Sequence, residues 1–175
     1  KTAVKTQQLD KNVGLGYIKN TQSQKFELEY IFGMGRDNSL LLELACSYLP
    51  LIGTEKYSAE QLQQELFSLG LSFNIYVEDR RTFIAISGLE DNVEKGVALL
   101  EDILANAQPD TSIYADFVSQ IEQTRDMAKK SQPVILTAME NYAKYGPKSS
   151  FTNRLKISDI AAISPDTLTN IIHSL

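Results

Sequence analysis

The chain has 175 residues, 43% of them hydrophobic and 22% charged, and a formal net charge of −5. This length and composition suit one globular domain with a sizeable core. The acidic balance excludes a typical nucleic-acid partner, because phosphate neutralisation requires clustered Lys and Arg. No stretch approaches the roughly 20 apolar residues of a membrane span, and one cysteine cannot form an internal disulfide.

The N-terminal stretch KTAVKTQQLDKN is polar, does not begin with Met and has no apolar core of a signal peptide. We therefore expect the chain to be a piece of a longer protein. The predicted organisation is a single domain over 1–175, in which 1–12 form a linker.

The first predicted elements are two strands and a buried helix. Residues 13–20 and 25–35 are rich in β-branched and aromatic side chains, and the polar loop between them predicts an antiparallel hairpin. A helix is expected over 39–51, where apolar residues on nearly every side indicate burial, and Pro50 ends or bends it.

The next elements have clearer boundaries. Ser58 and Gln61 form a capping box for a helix that Gly70 ends, and a second hairpin is expected from 71–77 and 82–88. Apolar periodicity, capping residues and prolines at first helical turns predict four more helices: 93–104, about 110–121 with Asp110 or Ser112 as the cap, 133–145 and 166–174. The order ββααββαααα predicts an α+β fold, with an antiparallel sheet and helices mainly on one face.

The residues with possible chemistry do not form a catalytic set. A zinc site needs about three protein ligands, and the lone histidine, His173, lies near a helix C-terminus that favours positive charge. Cys46 lies on an apolar helix without an adjacent base, so we expect a buried thiol. The pairs Glu78-Asp79 and Glu90-Asp91 are typical of solvated caps. Four glycines without the rest of a phosphate-binding motif are expected at strand bulges or ends: Gly14, Gly16, Gly33 and Gly35.

Several segments together resemble the pitrilysin/insulinase-type metallopeptidases. The similarity rests on a strand ending in GMGRDN, a buried helix, the stretch from GTEKYSAEQLQQELFSLG to GVALLEDIL, and a long helix after it. It covers about 14–175. The resemblance implies the metallopeptidase fold of the LuxS and mitochondrial-processing-peptidase type, with an antiparallel or mixed sheet.

In the catalytic domain of that family, the helix before the Gly-Thr pair carries His-x-x-Glu-His, whose histidines bind zinc and whose glutamate is the general base. Counting back from Gly53-Thr54, the corresponding positions are 44–48. The resemblance therefore implies that Leu44 and Tyr48 replace the histidines and Ser47 replaces the glutamate. We expect no catalytic, cofactor-binding or metal-binding residue in this chain.

Such peptidases contain repeated homologous domains, of which only one keeps the motif. The resemblance thus implies a non-catalytic domain from the C-terminal half, which helps to enclose the peptide substrate of a zinc peptidase. The expected partners are the catalytic half, in the same polypeptide or a partner subunit, and a peptide in the shared chamber; zinc is expected only in the catalytic domain. A periplasmic location is slightly favoured over the bacterial cytoplasm.

Two alternatives stay open. One is a catalytically dead relative that acts as an assembly or scaffold subunit, and the other is an unrelated α+β binding module. The sequence of the intact parent separates the first alternative from the peptidase hypothesis, because an upstream His-x-x-Glu-His would indicate an active partner domain.

Overall fold

The computed structural model describes residues 4–175 as an α+β fold with two small antiparallel sheets and seven α-helices within that range. The predicted fold class is confirmed. The strands are β1 (Lys5–Asp10), β2 (Val13–Tyr17), β3 (Lys25–Phe32), β4 (Ser72–Val77) and β5 (Thr82–Leu89). The helices are α1 (Leu40–Tyr48), α2 (Ala59–Ser68), α3 (Val93–Asn106), α4 (Thr111–Ala128), α5 (Gln132–Tyr145), α6 (Ile157–Ala162) and α7 (Pro165–His173).

The core lies between the larger sheet and the helices. This sheet has the order β3-β5-β4, and the central strand β5 turns Ile84 and Ile86 completely away from solvent. Helix α1 packs against β4 and α7, while α3 packs against β5 and α7. On the opposite face of the sheet, Phe83 stacks on Tyr76 with the ring centroids 4.6 Å apart.

The predicted boundaries of α2 are confirmed by its caps. The Ser58 side chain accepts a hydrogen bond from the Gln61 backbone, and the Gln61 side chain accepts one from the Ser58 backbone. Gly70 follows the helix with φ +61°, a conformation that glycine adopts without a steric penalty. Gly53 is also required, because a Cβ there would lie 2.3 Å from the Tyr57 carbonyl oxygen.

Among the C-terminal helices, α7 packs against α1, and α6 packs against α4. Of the two candidate caps for α4, Asp110 is the one used, since its side chain accepts from the Ile113 amide. Helix α5 ends at Tyr145, as predicted, and α7 begins at Pro165, one residue before the predicted start. The short helix α6 was not predicted, because its six residues span less than two turns and show no clear apolar period.

The predicted hairpin of β2 with β3 is wrong. Strand β2 instead pairs with β1, with Lys5 opposite Tyr17, and β3 pairs with β5 along its whole length, with Lys25 opposite Leu89. The physical reason is burial. The half-buried side chains of β3 lie beside Ile84 and Ile86 of β5, whereas every residue of β2 is exposed.

The predicted linker over 1–12 contains a strand, β1. Residues 1–3 of that segment lie outside the described range. Strands β1 and β2 pair only with each other and do not join the larger sheet. Both strands of this hairpin are therefore exposed. Whether the whole chain is one domain of its parent stays a prediction.

Candidate functional site

The five positions that correspond to the zinc motif lie on α1, at the boundary between the core and a surface cavity. Leu44 is 7% exposed and belongs to the core while bordering the cavity. Ser47 is exposed, and its hydroxyl donates to the Glu43 backbone carbonyl at 2.8 Å. These two side chains present a methyl-rich surface and one neutral hydroxyl to the cavity.

Tyr48 has a structural position in the core. Its hydroxyl donates to the Asp110 carbonyl at 2.8 Å and accepts from the Asp110 amide at 3.0 Å. Its ring packs edge-on against Tyr114, with the centroids 5.4 Å apart, and at 5.5 Å from Phe117. Tyr48 therefore joins α1 to the start of α4, and both polar functions of its hydroxyl are satisfied within the protein.

Cys46 is buried, as predicted, with 2% of its surface exposed. Burial, with a smaller contribution from the Glu43 carboxylate, raises the pKa of its thiol to about 12. Since the thiolate is the nucleophilic form, this cysteine does not serve as a nucleophile near neutral pH.

The cavity beside the motif positions has a volume of about 250 Å³ and lies between α1, α4 and the segment before α6. Glu43 is the carboxylate among its lining residues, and it forms an ion pair with Arg36 at 2.9 Å. Two arginines, Arg125 and Arg154, also line the cavity. Arg125 Nη1 donates to the Leu155 carbonyl at 2.8 Å, which fixes the guanidinium at the cavity wall.

This donor set does not fit the zinc ion that the family implies. Zinc prefers thiolate, imidazole and carboxylate ligands, whereas positions 44, 47 and 48 hold a leucine, a serine and a tyrosine whose hydroxyl is occupied by backbone. Two guanidinium groups beside the cavity would also repel a dication. Across residues 4–175, no group of three or more His, Cys, Asp or Glu side chains is placed to bind a metal.

The other sequence candidates lie apart from this cavity. His173 is exposed at the end of α7, and Glu90-Asp91 form an exposed turn before α3. Glu78-Asp79 lie in the β4–β5 turn, where their carbonyls accept from the Arg36 and Asp37 amides. Gly33 and Gly35 follow the end of β3, as predicted, whereas Gly14 and Gly16 lie inside the paired strand β2 rather than at a bulge or an end.

One buried polar network was missed by the sequence predictions. Asp102 on α3 accepts hydrogen bonds from Thr54 Oγ1 and Asn106 Nδ2, each at 2.8 Å, and Lys56 Nζ lies 3.1 Å away. Burial alone would raise the pKa of Asp102, but these three partners hold it below its ordinary value. The sequence offered one signal of this network: Asp102 is an acidic residue on the apolar face of a helix with regular apolar spacing, beside Leu99 and Ile103.

Two apolar surfaces are exposed. Helix α5 has no buried residue, and Ile135, Met139 and Tyr142 follow the i, i+4, i+7 spacing that places them on one face. The β1–β2 hairpin exposes a second set: Leu9, Val13, Leu15 and Tyr17. Contiguous exposed apolar surface of this kind usually marks an interface.

The fold and the cavity together define an α+β metallopeptidase-like domain, and its described residues, 4–175, hold no metal-binding donor set. Residues 46–150 match the sequence profile of the family described as Insulinase (Peptidase family M16). This match covers more than half of the chain, so the chain belongs to that family, and the predicted family is confirmed. Among curated proteins, no sequence match was found.

Solved structures show the same fold at low identity. A peptidase M16 inactive domain from Pseudomonas fluorescens superposes with a TM-score of 0.82 at 14% identity, covering 98% of this chain and 43% of that chain. A mutant of the ferredoxin protease FusC, in complex with Arabidopsis ferredoxin, gives 0.79 at 16% identity, covering 99% and 20%. The periplasmic protease PqqL from Escherichia coli gives 0.70 at 14% identity, covering 100% and 21%.

This chain spans less than half the length of each of these three proteins. At sequence identities below one fifth, the structural similarity establishes the fold alone. It does not establish that this chain shares the activity of those longer proteins. Within the described residues, no helix is both long and apolar enough to cross a membrane.

Proposed function

We propose that this chain is a non-catalytic domain of a zinc-dependent peptidase and forms part of the chamber that encloses its peptide substrate. The observation that carries the proposal is the packing of α1. Its motif positions are a core leucine, a serine bonded to its own helix and a tyrosine bonded to Asp110. Zinc and the general base would then belong to the catalytic half, in the same polypeptide or in a partner subunit.

The exposed apolar surfaces support a docking role. Met139 and Tyr142 on α5 expose 66% and 53% of their surfaces, and complete burial of a fully exposed methionine side chain contributes about 1.5–3 kcal/mol. Structures with the same fold are parts of chains two to five times longer. We propose that the catalytic half covers the α5 face, and that an extended peptide has access to an unpaired edge of the larger sheet.

The likeness to a protein described as an inactive domain and to a periplasmic protease supports two finer statements. The first is that the domain lies in the C-terminal half of its parent. The second is that the parent acts in the bacterial periplasm. A peptide or small protein is the proposed substrate class, consistent with the ferredoxin complex of the FusC structure.

The docking step is tested by measuring binding between this chain and the separately expressed catalytic half by sedimentation. Met139→Asp places a charge on the apolar face of α5 and should weaken association at least about tenfold, since 1.4 kcal/mol corresponds to a factor of ten. Thr137→Asp is the matched control, because it adds the same charge on the opposite side of the same helix.

Equal binding by the two variants would remove the proposed role of α5. An absence of any association with the catalytic half, together with assembly into a different complex, would favour the scaffold function instead.

A further inference from the structure

The cavity beside α1 contains two arginines that lack acidic partners. Among residues 4–175, neither Arg125 nor Arg154 forms an ion pair, although the chain as a whole carries a net charge of −5. Glu43, on the same cavity wall, is paired with Arg36 at 2.9 Å. The cavity lining therefore carries two guanidinium groups and one carboxylate, and that carboxylate is already paired with an arginine outside the lining.

Arg125 is held in position rather than free in solvent. Its Nη1 atom is bonded to the Leu155 carbonyl, and the other N–H groups of the guanidinium remain for a ligand. Partial burial lowers the pKa of Arg125 most, the neighbouring Arg154 lowers it further through charge repulsion, and the Glu43 carboxylate raises it. An anion placed between them would relieve this repulsion.

The rest of the cavity wall is mainly apolar. Leu44, Phe117, Ile121 and Leu155 line it, and Ser47 provides a hydroxyl at its edge. A volume of about 250 Å³ is slightly below the roughly 300–1,000 Å³ of small-molecule sites. It suits one apolar side chain together with an attached charged group.

We propose that this cavity binds a carboxylate that lies next to an apolar side chain, with Arg125 and Arg154 as the anion-binding residues. Guanidinium groups bind carboxylates through paired, charge-assisted hydrogen bonds. The free C-terminus of a peptide with an apolar last residue has this chemistry, and so does an acidic side chain beside an apolar residue. The site would bind such a group whether or not the chain completes a peptidase, so the inference goes beyond the proposed function.

The test is a titration of the chain with short peptides, followed by ¹H–¹⁵N NMR. The first pair is acetyl-Ala-Ala-Leu with a free carboxylate and the same peptide as its amide. The second pair, acetyl-Ala-Glu-Leu amide and acetyl-Ala-Gln-Leu amide, tests a side-chain carboxylate. In at least one pair, we expect the peptide with the carboxylate to bind about tenfold more tightly than its neutral counterpart. Its binding should shift the resonances of α4 and of residues 150–160.

Arg125→Gln and Arg154→Gln should each abolish this preference, whereas Arg81→Gln should preserve it. Arg81 is the matched control because it is exposed and does not line the cavity. If Arg125→Gln fails to fold, the exposed Arg154 still provides the test. Salt should weaken the binding, because charge attraction is screened.

The inference is overturned if neither carboxylate peptide binds better than its neutral counterpart. It is also overturned if the preference persists in either arginine variant that folds. Docking to the catalytic half is measured separately with the Met139→Asp variant, so a failure of either proposal can be distinguished from a failure of the other.

Discussion

Substituting Asp102 with Asn changes the buried acceptor that links the Gly53-Thr54 turn to α3. Thr54 donates to one carboxylate oxygen and Asn106 to the other. In the variant, one of these oxygens becomes an NH₂ group, so one of the two donors faces another donor. Water cannot replace the lost acceptor easily, because only 6% of Asp102 is exposed.

The magnitude follows from these partners. A hydrogen bond to a charged group contributes about 1.5–3 kcal/mol, and an exposed ion pair about 0–1 kcal/mol. The Lys56 side chain is 67% exposed, so its ion pair adds little. We therefore expect Asp102→Asn to lower the free energy of unfolding by about 2–3 kcal/mol at pH 7.

Urea denaturation measures this difference, with Asp116→Asn as the control. Asp116 is exposed on α4 without a side-chain partner among the described residues, and its substitution should change stability by less than about 0.5 kcal/mol. An equally small effect of Asp102→Asn would refute the conclusion that this network stabilises the turn.

The pH dependence gives an independent test of the same network. The partners of Asp102 lower its pKa from the ordinary value of 3.8. A carboxyl with a lowered folded-state pKa stabilises the protein above its unfolded-state pKa and loses this contribution as pH falls through the folded-state pKa. The stability difference between the native chain and Asp102→Asn should therefore be constant above pH 3.8 and decrease below it.

Two further predictions concern α1. Leu44→Ala should lower the free energy of unfolding, measured with denaturant, by about 2–3 kcal/mol. This is at the lower end for core truncations, because the side chain borders a cavity. A decrease below about 0.5 kcal/mol would show that Leu44 does not pack in the core. Metal analysis of chelator-treated, zinc-reloaded protein should find no tightly bound zinc. A one-to-one zinc content that is lost on substitution of α1 residues would contradict that result.

Local chemistry was sufficient to predict most helices. The capping box at Ser58, the Asp110 cap and the proline at the start of α7 each involve residues within one helical turn, so their sequence spacing determines their geometry. The predicted strand β5 was also correct, because its apolar run lies between turn residues. The fold class followed from the order of these elements.

Strand pairing could not be predicted in the same way. Strands β3 and β5 are far apart in sequence, and the choice between β2 and β5 as the partner of β3 depends on which pairing buries more apolar surface. The cavity was missed for a similar reason. Arg125 and Arg154 meet only because α4 and the segment before α6 pack together, and neither arginine belongs to a local motif.

The most direct test of the central claim is the turnover of a fluorogenic peptide by the catalytic half alone and after addition of this chain. We expect that the isolated chain hydrolyses no peptide, that the catalytic half alone has low activity, and that the two together restore turnover in a saturable manner. A catalytic half that is fully active alone and unchanged by saturating amounts of this chain would contradict the proposed role of this domain in the substrate chamber.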